Sequence, residues 1–542
     1  MKNIISILAL TLLFLAGCES FLEEENKSNV TAEEFYVTEE GYSALINANY
    51  SALREIYGDF AWLFCAGTDM YSEGRDSEPV GLSRYSNLNS SSEGVDHLYK
   101  TCFTAVQRAN TAIYYASLTE PTADLDQRVA EMKALRAHAY FLLVQTYGGV
   151  PLITDLIADA IVTFDRSSAE DIYTQIVTDL TEALPVVSAG AFDGRVNQKT
   201  VQFLLAKVLL TRGYESFAGA TDFADAAAYA DAVIGGQALD IPFNDLWLPT
   251  NEMNAETIFS VQFDQGSTSA VQGELGNRQQ NFFGSYTGGT EVAGKAPYKS
   301  YNLCPNNFAL SLFEQGDERW EGTFMTTVYD RYFDYFDVED KSTLDVAHFY
   351  APAWYTAADK LAFTTANPDA TYHDYGTYDP EGADISGNWA TIIVKKFDDP
   401  KAQFGANGDK GRTSNRDVVI ARLADAYLVA AEAYLQAGDA TTGLAKLNVV
   451  RARANVANAT AGEFDIDYIL DERGRELLGE YHRWFDLKRT GKLVERAAAH
   501  HMWIEASNFV GNGGEMKVLR PIPQSALDLN QNKDFAQNPA YN

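Results

Sequence analysis

The chain contains 542 residues, and 46% of them are hydrophobic, which is enough for a large core spread over about three domains. It carries 75 Asp and Glu residues against 42 Lys and Arg residues, so its formal net charge is −33. This charge argues against nucleic acids and other polyanions as partners, because binding phosphates requires a basic surface. It favours neutral or cationic ligands instead. The 30 Tyr, 30 Phe and 7 Trp residues exceed the needs of a core, and Tyr tolerates partial exposure.

The N-terminus predicts a lipoprotein. Lys2 precedes an apolar run over residues 4–15, which is too short to span a membrane but suits the core of a signal peptide. The run leads into the tetrapeptide LAGC, which ends at Cys18 and resembles a bacterial lipobox. We therefore expect residues 1–17 to be a lipoprotein signal peptide and Cys18 to be lipidated. The acidic residues 23–25 resemble the export tag of lipoproteins on the outer face of the outer membrane, so we expect the protein to face the cell exterior. No later apolar run is long enough to span a membrane, so the acyl chains would be its only anchor.

Helical spacing dominates two blocks of the chain, roughly residues 30–240 and 415–495. In the second block, apolar residues recur every three or four positions from Val419 to Leu435, and both faces are apolar, which predicts a helix packed on two sides. Gly438 fits the end of this helix and Asp439 the start of the next, which predicts a helical hairpin. Similar sets of helices are predicted at 93–118 with 126–147, and at 168–184 with 198–216 and 222–234.

These patterns predict a mainly α fold, in which a tetratricopeptide-like scaffold of helical pairs carries a large, irregular, loop-rich insert with a few short strands. The strands are predicted at 257–263, from alternating apolar and polar residues, and at 392–394. The predicted divisions are the signal peptide 1–17, an N-terminal helical part 18–240, the insert 241–415 and a C-terminal helical part 416–542.

The sequence contains no recognisable catalytic, metal or cofactor motif. Apart from Cys18 it has Cys65, Cys102 and Cys304, so at most one disulfide can form, and we expect buried thiols. His138 lies in an apolar helix without a second ligand four residues on, which favours a core imidazole over a metal ligand. The acidic loop 379–384 leaves a structural calcium open, although such clusters arise by chance in so acidic a chain.

The densest charged segment, residues 472–489, contains four Arg residues among many carboxylates. Opposite charges three and four residues apart on a helix usually form ion pairs. With Trp484 and Phe485 beneath them, these charges are predicted to have a structural role rather than an acid–base one.

An ordered set of motifs runs along the chain. The first, LRAHAYFLLVQTYGGVPL at residues 135–152, resembles the signature segment of the SusD/RagB family of surface lipoproteins. Further similar motifs follow in the order found in the family, at residues 171–184, 194–197, 316–319, 416–428, 450–454, 472–477, 483–489 and 521–523. Together with the lipobox they span nearly the whole chain.

The resemblance implies a non-catalytic protein without an organic cofactor, in which a helical core carries the ligand-binding loops. It further implies capture of an oligosaccharide at the cell surface and delivery to a SusC-like TonB-dependent transporter in the outer membrane. Some relatives accompany peptide transporters, so a peptide ligand stays open. Two other classes are less favoured: a secreted glycoside hydrolase, which would need two carboxylates about 5–10 Å apart, and a purely structural surface protein.

Candidate ligand-binding residues follow from the chemistry of sugar recognition. The apolar face of a pyranose stacks on an exposed aromatic ring, and its hydroxyls need short polar partners. Aromatic residues flanked by Gly, Ser, Asn and Arg in loops after the first helix and in the insert meet both needs, and the resemblance places the family's ligand loops there. The candidates are Tyr71, Arg75, Tyr85, Asn87, Tyr286, Tyr298, Tyr301 and Trp354.

Overall fold

The computed structural model describes residues 31–75, 79–264, 276–405 and 411–542. The predicted signal peptide and Cys18 lie outside the described residues. The described part is mainly helical, as predicted from the sequence. None of its helices combines the length and the apolar character needed to cross a bilayer.

The N-terminal part is a succession of helices. Helix α6 is central: from residue 130 to its end almost every side chain is buried, so neighbours surround it on all faces. The helices are α1 (Ala32–Phe35), α2 (Glu39–Tyr57), α3 (Trp62–Cys65), α4 (Val80–Arg84), α5 (Val95–Ala116), α6 (Leu125–Tyr147), α7 (Ala169–Ala183), α8 (Gln198–Arg212) and α9 (Asp222–Ile234), and α10 (Phe243–Leu246) follows at the start of the insert.

The insert has short helices only, and the C-terminal part returns to longer ones. The helices of the insert are α11 (Gln279–Phe282), α12 (Asn307–Ser311), α13 (Glu318–Thr323), α14 (Asp334–Asp337) and α15 (Ala357–Ala366). Those of the C-terminal part are α16 (Leu423–Gln436), α17 (Ala440–Arg453), α18 (Ile466–Glu476), α19 (Arg483–Arg489), α20 (Leu493–His500) and α21 (Gln524–Leu529).

The long helices form one continuous array. Successive neighbours pack in the order α2, α5, α6, α7, α8, α9, α16 and α17, so the C-terminal hairpin continues the N-terminal array across the insert. Buried alanines on α9 and α16 allow close approach at this joint. The Tyr434 hydroxyl also donates a hydrogen bond to Asp231 there, at 2.6 Å. This packing confirms the predicted scaffold of helical pairs.

The strands are short and local. They are β1 (Tyr71–Ser72), β2 (Thr257–Val261), β3 (Cys304–Pro305), β4 (Thr327–Tyr329), β5 (Val346–Tyr350), β6 (Thr371–His373) and β7 (Val418–Arg422). β1 pairs with β3 and β2 with β7, both antiparallel, while β4, β5 and β6 form a three-stranded sheet in which β5 and β6 are parallel.

The sequence prediction was wrong at two of these places. Val419 and Ile420 lie in strand β7, which pairs with β2, and not in the helix. Strand β2 confirms the strand predicted at residues 257–263. Helix α16 begins only at Leu423. Residues 392–394 form no strand: Val394 makes one isolated bridge to Phe324. All three side chains of that run are fully buried, so its apolar residues reflect burial in the core and not pairing with a neighbouring strand.

The charged segment 472–489 has a structural role, and two predicted pairs three residues apart form in it, Glu472 with Arg475 at 2.8 Å and Asp486 with Arg489 at 2.9 Å. Other partners lie far away in the sequence. Fully buried Arg319 pairs with Asp317 at 2.8 Å, with Glu472 at 2.6 Å and with Glu476 at 3.3 Å. Arg422 of β7 also pairs with Glu476, at 2.6 Å. These pairs join distant segments inside the core, in addition to the pairs along single helices that the sequence predicts. Further buried pairs join Asp69 to Arg483 and Arg496, Asp425 to Arg473, and Glu432 to Arg489.

The thiols and His138 lie in the core as predicted. Cys65, Cys102 and Cys304 are buried and free. The Nε2 atom of His138 lies 2.7 Å from the Tyr57 hydroxyl, and burial lowers the pKa of this imidazole to about 4. His138 is therefore neutral at pH 7.

Candidate functional site

Two short strands position one wall of a candidate site. The pairing of β1 with β3 brings the chain beyond Ser72 beside the loop that ends at Tyr301. The Gly74 N–H then donates a hydrogen bond to the Tyr301 carbonyl at 2.9 Å. A Cβ at Gly74 would lie only 2.8 Å from the Cys304 sulfur, so a side chain there would force the two segments apart. The pairing thus fixes the exposed Arg75 next to the insert.

Arg75 meets two predicted tyrosines of the insert. Its guanidinium carbon lies 4.8 Å from the centre of the Tyr286 ring, in a cation–π arrangement. The rings of Tyr286 and Tyr301 meet edge to face, with centroids 5.5 Å apart and planes at 87°. Both rings are half-buried. Three of the sequence candidates therefore form one partly exposed group.

Trp389 completes this group and was missed by the sequence prediction. Its backbone N–H donates a hydrogen bond to the Tyr286 carbonyl at 2.8 Å, which anchors the two loops to each other. Its ring is half-buried and stacks on His348, with centroids 5.1 Å apart. Trp389 stands in the sequence SGNW, so the criterion of small polar neighbours could have found it. We call Arg75, Tyr286, Tyr301 and Trp389 the aromatic cluster.

The backbone of the aromatic cluster is held in an unusual conformation. Tyr301 has φ +54° and Trp389 has φ +61°, in the left-handed region that bulky residues rarely adopt. Such residues persist only where the surrounding structure holds them, and they concentrate at binding sites. The two rings are therefore presented by positions whose geometry is imposed by the fold.

A pair of histidines supports Trp389 from behind. His348 Nδ1 lies 3.2 Å from His373 Nε2, and His373 stacks on Tyr350 with centroids 4.4 Å apart. Burial lowers the pKa of His348, and burial together with the charge of His348 lowers the pKa of His373 to about 4. Both imidazoles are neutral at pH 7 and act as flat packing surfaces under the tryptophan.

The aromatic cluster offers stacking and hydrogen bonding rather than acid–base chemistry. Arg75 supplies a planar set of donors, and the tyrosine rings supply faces and hydroxyls. The nearby Cys304 thiol is fully buried, and burial raises its pKa to about 12, so it is no nucleophile. The described residues contain no group of three or more His, Cys, Asp or Glu side chains placed to hold a metal ion.

The structure corrects the prediction for Tyr71 and Tyr85. Each is only 2% exposed. The Tyr71 hydroxyl accepts a hydrogen bond from the Gly479 N–H at 2.7 Å. The Tyr85 hydroxyl donates to the Gly67 carbonyl at 2.8 Å and accepts from the Trp484 indole N–H at 3.1 Å. Both rings belong to the core, because the C-terminal helical part covers them, and neither offers a face for stacking.

The remaining candidates lie apart from these contacts. Asn87 is exposed on the loop after α4. Tyr298 is half-buried between Phe404, at a centroid distance of 5.4 Å, and the Arg412 guanidinium, 4.7 Å from its ring. The half-buried Trp354 packs edge to face on Trp320 at 5.3 Å. The structure thus gathers Arg75, Tyr286 and Tyr301 into one group and leaves these three outside it.

Two family models match the chain. A model described as "SusD family" matches residues 255–541. A model described as "Starch-binding associating with outer membrane" matches residues 20–231. The two matches lie side by side and together take in both helical parts.

Individual relatives agree over most of the length. A SusD-like protein of Formosa agariphila is 26% identical over 518 residues, covering 91% of this chain and 92% of the relative. The starch-binding protein SusD of Bacteroides thetaiotaomicron is 24% identical over 450 residues, covering 79% of this chain and 76% of that protein. A solved structure described as a laminarin-binding SusD-like protein matches with a TM-score of 0.68 at 24% identity, covering 93% of this chain and 100% of that chain. At this identity, the structural likeness shows the fold.

Proposed function

The chain belongs to the SusD family, and from this premise we propose that it binds a glycan at the cell surface through the aromatic cluster and passes it to a partner transporter. Proteins of this family bind carbohydrate without chemical turnover, and the chain is not an enzyme. The relatives named above include a starch-binding and a laminarin-binding protein, which supports a glucan or a similar oligosaccharide as the ligand class.

The observation that carries the proposal is the half-exposure of the cluster. In the helical array, large aromatic and arginine side chains such as Trp484 and Arg473 are buried in contacts with the protein. In the cluster, an exposed guanidinium and two half-buried rings that meet edge to face stand at a surface, and the half-buried ring of Trp389 lies on the loop bonded to Tyr286. Rings that are not parallel suit a curved or twisted oligosaccharide better than a flat chain. The hydroxyl of Tyr286 is hydrogen-bonded to no described residue, so it is free to bond a sugar hydroxyl.

Binding at such an open site should be modest in strength. Each stacked ring contributes about 1–3 kcal/mol through apolar burial. After the entropic cost of association, two or three rings give a dissociation constant in the micromolar to millimolar range, about 1 mM to 1 μM.

Calorimetry tests this proposal directly. We expect the purified protein to bind maltoheptaose, laminarihexaose or another neutral oligosaccharide of a glycan panel, and we expect no new reducing ends after hours of incubation. Tyr286→Ala and Tyr301→Ala should each weaken binding by about tenfold, which corresponds to one stacking contact. The control is Tyr355→Ala, which removes a 41% exposed ring of the insert outside the cluster. Equal affinity of all four proteins would contradict the proposed site.

The membrane anchor and the transporter partner are part of the same proposal. The lipobox ending at Cys18 and the family description "associating with outer membrane" support an acylated protein on the outer membrane. Replacement of Cys18 by Ala should release the protein from membranes prepared without the transporter. Retention of the variant on those membranes would contradict the lipid anchor. Delivery itself is tested by co-purification with the SusC-like TonB-dependent transporter.

A further inference from the structure

A cavity separate from the aromatic cluster is lined mainly by positively charged side chains, in contrast to the acidic molecule as a whole. It has a volume of about 510 Å³ and lies between the loop after α10, helix α14 and the segment around residues 395–403. Four lysines line it, Lys341, Lys395, Lys396 and Lys401. Among its described lining residues the one carboxylate is Asp337. In a chain of net charge −33, a cavity with four lysines and one carboxylate in its lining is exceptional.

Not all of these charges are available to a ligand. Lys396 is buried and pairs with Glu480 at 2.5 Å, inside the core network. Asp337 is already engaged by Arg331 at 2.7 Å. The lining therefore keeps a positive excess after its internal pairs are formed.

Lys395 and Lys341 supply this excess. Lys395 is 6% exposed, and its ammonium donates a hydrogen bond to the backbone carbonyl of Glu321. The ammonium of Lys341 donates to the Val338 carbonyl at 3.3 Å. No carboxylate of the described residues lies within 4.0 Å of either ammonium. The Glu321 carboxylate acts on Lys395 from beyond this distance: burial raises the pKa of Glu321, and the charge of Lys395 partly offsets that rise. A bound anion would give the buried Lys395 ammonium a direct ion-pair partner.

Aromatic walls accompany the two charges. The ring centre of Tyr335 lies 4.6 Å from the Lys395 ammonium and 5.2 Å from that of Lys341. Trp247 forms another part of the wall, and its buried indole N–H has no acceptor among the described residues. A lysine beside an aromatic ring can hold a charged sugar, because the sugar ring stacks on the aromatic ring and the anionic group of the sugar pairs with the ammonium.

We propose that this lysine pocket binds a sugar residue that carries an anionic group, either a carboxylate or a sulfate ester. The anion pairs with Lys341 and Lys395, and the sugar ring lies against the aromatic wall formed by Tyr335 and Trp247. The proposal goes beyond the proposed function, because the pocket shares no residue with the aromatic cluster and takes a different chemical class of sugar. It would let one protein hold the neutral and the acidic parts of a substituted glycan at two places.

The probes are digalacturonate, galactose 6-sulfate, neutral galactobiose and sodium sulfate, titrated by calorimetry with tryptophan fluorescence as a second readout. The titrations are repeated in the Tyr286→Ala variant, so that the result does not depend on the aromatic cluster. We expect digalacturonate or galactose 6-sulfate to bind at least about tenfold more tightly than galactobiose or sodium sulfate, and binding to weaken with salt. The acidic probe that binds identifies the carboxylate or the sulfate ester as the preferred group. Equal affinity for galactobiose or for sodium sulfate would overturn the proposal.

Variants place the binding in the pocket. Lys341→Met and Lys395→Met should each lower the affinity for the acidic sugar by about tenfold, since each removes one charge contact. Lys341 lies at the surface of the pocket, so its variant tests the site even if replacement of buried Lys395 disturbs folding. The control is Lys360→Met: Lys360 also lies over a tyrosine, Tyr372 at 5.0 Å, but outside the pocket and paired with Asp374 at 2.6 Å. Unchanged affinity in Lys341→Met, or equal loss in Lys360→Met, would refute the assignment.

Discussion

The helical scaffold and the insert use the same residue types in opposite ways. Arg319 is fully buried and pairs with three carboxylates, whereas Arg75 is exposed and lies over the ring of Tyr286. Trp484 is 1% exposed under the C-terminal helices, whereas Trp389 is half-buried at a loop surface. The scaffold pairs these buried charges internally, and the insert leaves stacking and hydrogen-bonding capacity at its surface.

The scaffold maintains the fold, and the insert presents the surface for binding. A buried arginine with several carboxylates fixes segments that are far apart in sequence, because each buried charge has lost its hydration and is compensated only while its partners stay in place. Burial alone would raise the pKa of Glu476, but the guanidinium groups of Arg453, Arg422 and Arg319 outweigh burial and lower that pKa to about 2. Changes in the scaffold should therefore affect stability, and changes in the aromatic cluster should affect binding.

The largest effect is expected from Arg319→Ala. It leaves three buried carboxylates without their shared cation, which should lower the free energy of unfolding by about 3–5 kcal/mol. The matched control is Arg331→Ala in the insert, where the partly exposed pairs with Asp334 and Asp337 should be worth about 0–1 kcal/mol. Urea unfolding of both variants measures the difference. Similar losses in the two would break the comparison between the regions.

A pair of tryptophan variants tests both halves of the comparison at once. Trp484→Ala should cost about 3–5 kcal/mol of stability, because it empties a core site and removes the hydrogen bond to Tyr85. Its oligosaccharide affinity should stay nearly unchanged at low temperature. Trp389→Ala should weaken the binding of the neutral oligosaccharide by about 1–3 kcal/mol, with a small change in melting temperature. Thermal melts and calorimetry on both variants measure stability and affinity. A Trp484→Ala variant that loses affinity beside a Trp389→Ala variant that keeps it would place recognition on the helical array.

Much of the scaffold could be predicted from the sequence, because helical periodicity and alanine-lined faces are local signals. Val418–Arg422 was misread because the strand depends on a partner about 160 residues away, which periodicity does not report. The same limit applies to the candidate site. Arg75, Tyr286 and Tyr301 stood out by the composition of their loops, and the structure brings them together.

Tyr71 and Tyr85 had equally suggestive loop neighbours but are covered by residues about 400 positions later, Gly479 and Trp484. Local composition therefore identifies aromatic residues in loops but not their exposure. The ligand role of Arg75, Tyr286, Tyr301, Asn87, Tyr298 and Trp354 stays a prediction until binding is measured.

Part of the pH dependence of stability should come from His138, one of several buried histidines of the scaffold whose pKa is lowered. Burial lowers the pKa of His138 to about 4, against an unfolded value of about 6.5. Between these values the unfolded chain binds a proton that the folded chain excludes, so stability falls as pH falls through this window. His138→Gln should make the dependence shallower by up to about 1.4 kcal/mol per pH unit, measured by urea unfolding from pH 7 to pH 4. Parallel curves for the two proteins would show that His138 does not titrate as its burial implies.

The smallest effects should come from removing single hydroxyls from two tyrosines that the sequence treats alike. Tyr71→Phe removes the acceptor of the Gly479 N–H and leaves that donor buried, so it should cost about 1–3 kcal/mol of stability and leave oligosaccharide affinity unchanged. Tyr286→Phe removes a hydroxyl that no described residue uses, so stability should stay within about 0.5 kcal/mol. Its affinity should fall by about 0.5–1.5 kcal/mol if the hydroxyl bonds the sugar, since the ring remains available for stacking. Calorimetry beside urea unfolding separates the two results, and a Tyr286→Phe variant that loses stability but keeps its affinity would mean that this ring belongs to the core rather than to the site.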